Sequence, residues 1–289
     1  MRQNFVRTKG RKHDSSMTMR NPRLGKIEKA KFPELAEKIV KMSDIILEVL
    51  DARFIKETRN LELEEQIKKQ KKKIIYVMNK SDLIDLRKVK DNEEVAKLTP
   101  KVFVSCTTRK GGKELRNKIK ITSYTITNPI DRALNKVTVG IIGFPNTGKS
   151  SVINFLVGKP AAGIGADAGF TKGIQKVNLT SNIVLIDSPG VIPTKQYSSS
   201  DLAAFSRDAK VGARSYSQVS NPEVVVSNLV KEFPDVFNQF YGIDTRGDAE
   251  TLIEELGRKR GFLKKGNEVN EDKTARFILK EWQEGKIRR

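Results

Sequence analysis

The chain has 289 residues, 37% hydrophobic and 31% charged, enough for a full core and a smaller second unit rather than a disordered or membrane-embedded polypeptide. Lys and Arg number 55 against 35 Asp and Glu, a formal charge of +20 that attracts polyanions, nucleic acid first among them. A single cysteine, Cys106, and a single histidine, His13, exclude an internal disulfide framework and a Cys/His zinc site, and no apolar run nears the roughly 20 residues of a membrane helix; a cytoplasmic, reducing setting and no membrane partner are expected.

Residues 1–30 are strongly basic, with only Asp14 and Glu28 in opposition and no apolar stripe, and they read as an RNA-contacting arm; an organellar presequence is the alternative. Leu35, Ile39 and Met42 then predict a helix over 32–42, followed by a buried strand over 45–50 that ends at Asp51-Ala52-Arg53. A charged helix over 61–72 and an apolar strand over 73–78 follow, and the strand delivers Asn79 at its carboxyl end. Val102-Phe103-Val104 is a short strand ending at Ser105, and 122–136 reads as a linker. Residues 137–142 form the next strand, which runs into a glycine-punctuated loop and a helix over 149–156. Strands near 175–179 and 183–186 complete a series of strands and helices that predicts an α/β parallel sheet. Beyond about Ser198 the strand pattern stops. Helices are expected over 222–229, 249–256 and 273–282, with Asn221 and Asp248 as N-caps. The resulting division is an arm over 1–30, an α/β domain over 31–197 and a helical, RNA-binding domain over 198–289.

Residues 143–150, Gly-Phe-Pro-Asn-Thr-Gly-Lys-Ser, match a phosphate-binding loop between a strand and a helix. There the amides of Asn146, Thr147, Gly148, Lys149, Ser150 and Ser151 can cradle phosphate oxygens, Lys149 can neutralise them, and Ser150 can hold magnesium. Asp187-Ser-Pro-Gly190 lies about 40 residues on, with Asp187 as a second magnesium ligand and Gly190 free of any side chain that would block a γ phosphate. Thr171, between them, is the candidate switch hydroxyl over the metal. Lys149, Thr171 and Gly190 therefore form the candidate catalytic set. Upstream, Asn79-Lys80-Ser81-Asp82 reads guanine: the Asp82 carboxylate accepts from N1–H and the exocyclic amine, a donor pair adenine lacks. Ser105 and Cys106 fit the backbone element at the guanine edge. GTP with Mg2+ is the expected substrate and metal.

In this order the base-reading motif precedes the phosphate loop, the reverse of an ordinary GTPase, so the chain reads as circularly permuted. With Asp51-Ala52-Arg53 upstream, it resembles the circularly permuted ribosome-assembly GTPases of the YlqF/RbgA type. Tyr241-Gly-Ile-Asp244, Gly257-Arg-Lys-Arg-Gly261, Asn270-Glu-Asp-Lys-Thr-Ala-Arg276 and Gly285-Lys286 extend the likeness into the helical domain. The resemblance implies a P-loop GTPase domain followed by a small helical domain, GTP hydrolysis, and the large ribosomal subunit precursor with its rRNA as partner of a monomeric factor. Arg258, Lys259, Arg260, Lys264 and Lys265 are the candidate RNA contacts. Phe262 and Trp282 read better as core anchors than as stacking platforms. Two departures stand out. Val191 replaces the glutamine that orients water in most small GTPases, so slow intrinsic hydrolysis, stimulated by a partner, is expected; Asn146 is the candidate for holding a K+ that would compensate. The family's N-terminal catalytic histidine has no counterpart, because His13 sits inside the basic arm. A scaffold that binds GTP without hydrolysing it, and a GTPase acting on tRNA or another RNA, remain as alternatives.

Overall fold

A computed structural model describes residues 34–90, 92–126, 136–158, 175–187 and 202–288. Strand β1 (Ile45–Asp51) is buried along its whole length, as a nearly continuous apolar run requires when both faces of a sheet are covered. It pairs in parallel with β2 (Lys73–Asn79) on one edge and β4 (Val137–Ile142) on the other. β3 (Lys101–Phe103) joins β2 in parallel, and β6 (Ile183–Asp187) joins β4 likewise. β5 (Gln175–Asn178) closes the order β3-β2-β1-β4-β6-β5 and runs antiparallel to β6. The sheet is thus mixed rather than parallel throughout, because residues 179–182 are too few for a parallel crossover.

Helices cover both faces. The helix over 34–42 and the Leu61–Lys69 helix set Ala36, Ile39, Leu63 and Ile67 against Ile46, Ile142 and Ile186. On the opposite face, Gly112–Ile126 and Lys149–Val157 bury Leu115, Ile119, Val152 and Leu156 against β1, β2 and β4. The Gly112–Ile126 helix was not foreseen in the sequence, and its last turn occupies the first part of the expected 122–136 linker. Ser123 is buried there and its Oγ donates to the Lys120 carbonyl at 2.7 Å, so a segment rich in Ser and Thr stays helical by satisfying itself on its own backbone. Residues 127–135 lie outside the described residues.

The C-terminal helices are Leu202–Lys210, Pro222–Glu232, Pro234–Tyr241, Ala249–Lys259 and Glu271–Gln283. Asp248 caps its helix through the amides of Glu250 and Thr251. Asn221 does not cap: no side-chain bond forms, and Pro222 at the first turn starts the helix with its preset φ and one fewer free N–H. Asn270 caps instead at the last helix, accepting from the Lys273 amide at 3.1 Å, which moves that start upstream of the predicted 273. Trp282 is fully buried, stacked with Phe233 and Phe237 at centroid distances of 5.5 Å each. Phe54, after β1, and Phe144, after β4, belong to this same apolar cluster. The helical unit is therefore seated on the carboxyl ends of the central strands.

Candidate functional site

Sheet order reverses between β1 and β4, since β1 continues to β2 and β3 on one side while β4 leads to β6 and β5 on the other. In open α/β sheets the carboxyl ends of the strands at such a point form the ligand crevice. Asp51, Asn79, Gly143 and Asp187 all stand at or directly after those ends.

The phosphate loop is held from within. Thr147 Oγ1 donates to the Phe144 carbonyl at 3.0 Å, and Lys149 Nζ donates to the same oxygen at 2.8 Å. Burial lowers the Lys149 pKa to about 8, opposed only in part by Asp187. Ser150 Oγ donates to Asp187 Oδ2 at 2.8 Å, so the hydroxyl and carboxylate predicted to share a metal are already adjacent. That donor pair fits Mg2+, a hard cation that takes one or two protein oxygens and completes its shell with phosphate and water.

The Asn79–Asp82 turn, the candidate base reader, is tied directly to this loop. Asn79 Nδ2 donates to the Thr147 carbonyl at 2.8 Å, and its Oδ1 accepts from the Cys106 thiol at 3.4 Å. Gly148 (φ +92°) approaches so closely that a Cβ there would lie 2.3 Å from Asn79 Nδ2. Lys80 adopts a left-handed conformation and pairs with the buried Asp51 at 2.8 Å. Ser105 Oγ donates to Asp82 Oδ1 at 2.6 Å, fixing the carboxylate expected to read guanine. Burial, with Asp82 nearby, pushes the Cys106 thiol up to about 12, which keeps it a neutral donor. Ser151 shares a cavity of about 370 Å3 with Asn79, Lys80, Asp82 and Cys106, a size suited to a small ligand.

Asp51 and Arg53, noted in the sequence only as a family motif, turn out to be the hub of the site. The two side chains form a bidentate pair at 2.8 and 3.0 Å, and Arg53 Nη1 donates to the Trp282 carbonyl at 2.9 Å. Burial works against ionisation of Asp51, yet Lys80 and Arg53 together hold its carboxyl below the usual carboxylate range. Asn146 Nδ2 donates to the Gly212 carbonyl at 2.8 Å, so the residue considered for K+ is also a tie to the helical unit. Gln283, Glu284, Gly285 and Arg288 line the cavity beside Asp82 as well. Their only signal in the sequence was the Gly285-Lys286 likeness, to which no role attached.

Thr171, Gly190, Val191 and His13 lie outside the described residues. Arg258, Lys259, Arg260, Lys264 and Lys265 are all exposed; Arg258 pairs with Glu254 at 2.6 Å, and Arg260 lies over the Phe277 ring at 5.1 Å. Trp282 is a core anchor, as expected, and Phe262 is half-buried edge-on to Phe277.

A guanine-type turn locked by Asn79 to a phosphate loop, on a sheet whose chain order puts the turn first, defines a circularly permuted P-loop GTP-binding protein. Comparison with known proteins agrees. Residues 138–221 match the model of a family described as 50S ribosome-binding GTPase. An uncharacterized GTP-binding protein of Methanocaldococcus jannaschii is 38% identical over 92% of this chain and 68% of its own. GTPase grn1 of Schizosaccharomyces pombe and Nucleolar GTP-binding protein 2 of Candida glabrata are 31% and 34% identical over 87% and 86% of this chain. The chain spans only 59% and 50% of those two relatives. GNP-bound YlqF from T. maritima superposes with a TM-score of 0.61 at 22% identity, over 89% of this chain and 95% of that one, a likeness of fold. The chain belongs to the same family of GTP-binding proteins as the Methanocaldococcus jannaschii relative, and it shares the circularly permuted fold of YlqF.

Proposed function

We propose that the protein is a Mg2+-dependent GTP hydrolase that acts as a nucleotide-gated, RNA-binding assembly factor for the large ribosomal subunit. The observation that carries the hydrolase reading is the convergence of Asp82, Lys149 and the Ser150–Asp187 pair at one strand-end crevice. Asp82 and the Ser105–Cys106 turn select guanine, and the loop amides with Lys149 hold the phosphates. Ser150 and Asp187 hold Mg2+, which when bound offsets charge on the β and γ phosphates. Lys149 leaves the Phe144 carbonyl to meet those phosphates, exchanging a neutral acceptor for a charged one. Thr171 and Gly190 are assigned to sensing the γ phosphate. Val191 cannot orient water by hydrogen bonding, so turnover of the isolated protein is slow and a partner accelerates it.

The assembly role is supported by the +20 charge, by the exposed cluster from Arg258 to Lys265, and by relatives whose names include nucleolar GTP-binding proteins. Multiple-turnover phosphate release from GTP and ATP, measured with and without large-subunit precursor particles in KCl and NaCl, tests the reading. Expected is turnover of GTP alone, accelerated by particles; a KCl-specific gain that Asn146→Ala abolishes assigns the compensating cation to the Asn146 loop. Binding without turnover in every condition would establish the scaffold alternative. Stimulation by free tRNA in place of particles would redirect the protein to another RNA.

A further inference from the structure

The cavity beside Asn79 and Asp82 is bounded on its far side by the helical unit: Gly212, Tyr216, Gln283, Glu284, Gly285 and Arg288 form that wall. These residues are held as a piece. Gln283 Nε2 donates to the carbonyls of Ala209 and Arg214 at 2.8 and 2.9 Å, and its Oε1 accepts from the Tyr216 amide at 3.0 Å. Gly285 (φ +75°) is pressed onto the turn that carries the base-reading carboxylate, where a Cβ would come within 2.6 Å of Leu83 Cδ1. One residue before Gln283, the Trp282 carbonyl accepts from Arg53, whose partner Asp51 pairs with Lys80 of the guanine turn. The Asn146–Gly212 bond clamps the wall's other end to the phosphate loop.

We infer that the segment Gln283–Arg288, with the Gly212–Tyr216 turn behind it, is a built-in wall of the guanine-nucleoside pocket, so that nucleotide affinity depends on the seating of the helical unit. The inference rests on the reading of the cavity as a guanine site. Its consequence is reciprocal: whatever stabilises the seated wall tightens nucleotide binding, and bound nucleotide holds the wall by the same factor. Glu284 and Arg288 are exposed at the cavity and supply its outer polar groups, one of each charge, to a nucleoside whose base edge is read from the opposite side by Asp82.

The test uses the full chain with GDP as the probe. Amide hydrogen exchange is followed with and without saturating GDP, and Kd for GDP and for ADP is measured for the wild type, Gly285→Ala and Asp82→Asn. Expected are at least threefold slower exchange across 283–288 on GDP binding and at least tenfold weaker binding by Gly285→Ala, which strains the backbone at φ +75° and crowds Leu83. Protection confined to the guanine turn and phosphate loop overturns the wall, and so does Gly285→Ala binding within twofold of wild type. Should Gly285→Ala fail to fold, the wild-type exchange result decides alone. Asp82→Asn separates the two readings: a loss of guanine preference with an unprotected wall rejects the wall and keeps the base assignment, whereas unchanged preference rejects the guanine site itself.

Discussion

Lys149 shows how one buried side chain sets a solution property. In the free protein, burial brings its pKa to about 8, while a bound diphosphate favours the charged form. Affinity for GDP is then nearly level below pH 7 and falls above about pH 8, approaching tenfold per unit, because binding must restore a proton. Titration calorimetry from pH 6.5 to 9.5 checks this, and a flat profile would remove Lys149 from the phosphate contact. Asp82 makes a separate prediction. Replacing it with Asn exchanges an acceptor for a donor against guanine N1–H and should cost at least about tenfold in GTP over ATP preference, read by competition binding.

At the scale of single elements, β1 carries an unusual cargo. Glu48 is fully buried in the middle of that strand, accepting from the Asn60 amide at 2.8 Å, beside Glu64, which takes both a bidentate pair from Arg59 and the Tyr76 hydroxyl. Burial first, then the Glu64 charge, raises the Glu48 pKa, so folding favours its protonated form. This contribution is complete below the unfolded value near 4.3 and is lost as pH rises through the higher folded one. Glu48→Gln keeps an acceptor for Asn60 without the charge. It should raise unfolding free energy at pH 8 by about 1–2 kcal/mol and leave it nearly unchanged near pH 4, as measured by urea titration.

Elements whose function demands fixed residues were the ones legible in advance. The strand ending at Asn79, the short strand two residues before Ser105, the loop at 143–150 and the strand reaching Asp187 followed from apolar runs broken by polar motifs. What escaped was set by packing at a distance. The Gly112–Ile126 helix fully buries only Leu115, Ile119 and Ser123, too thin a stripe to stand out from its charged and hydroxylated neighbours. The mixed sense of the sheet depended on a four-residue connection. Above all, the role of Asp51 and Arg53 could not be read locally, because the acceptor for Arg53 is a backbone carbonyl 229 residues away.

For the molecule as a whole, Trp282 joins two jobs: its ring fills the helical core and its carbonyl receives Arg53. Trp282→Ala should cost about 3–5 kcal/mol of unfolding free energy, the range for deleting a large buried aromatic. Arg53→Met should also cost about 3–5 kcal/mol, since it leaves the buried Asp51 with Lys80 as its one charged partner, beside the amide of residue 53. The pair should be non-additive by more than about 0.5 kcal/mol in a double-mutant cycle; strict additivity would show that the ring and the guanidinium act independently.

The position of β1 bears on how the chain is made. Both of its partners come later in the chain, β2 beginning at Lys73 and β4 only at Val137. During synthesis the first half-sheet, β1 with β2 and β3, leaves the ribosome with one edge of its most buried strand open for roughly 60 further residues, several seconds at ordinary elongation rates. An unpaired apolar edge of that kind invites association with other nascent chains. Moving the base-reading half to the front thus lengthens the interval in which this protein depends on whatever shields emerging polypeptides.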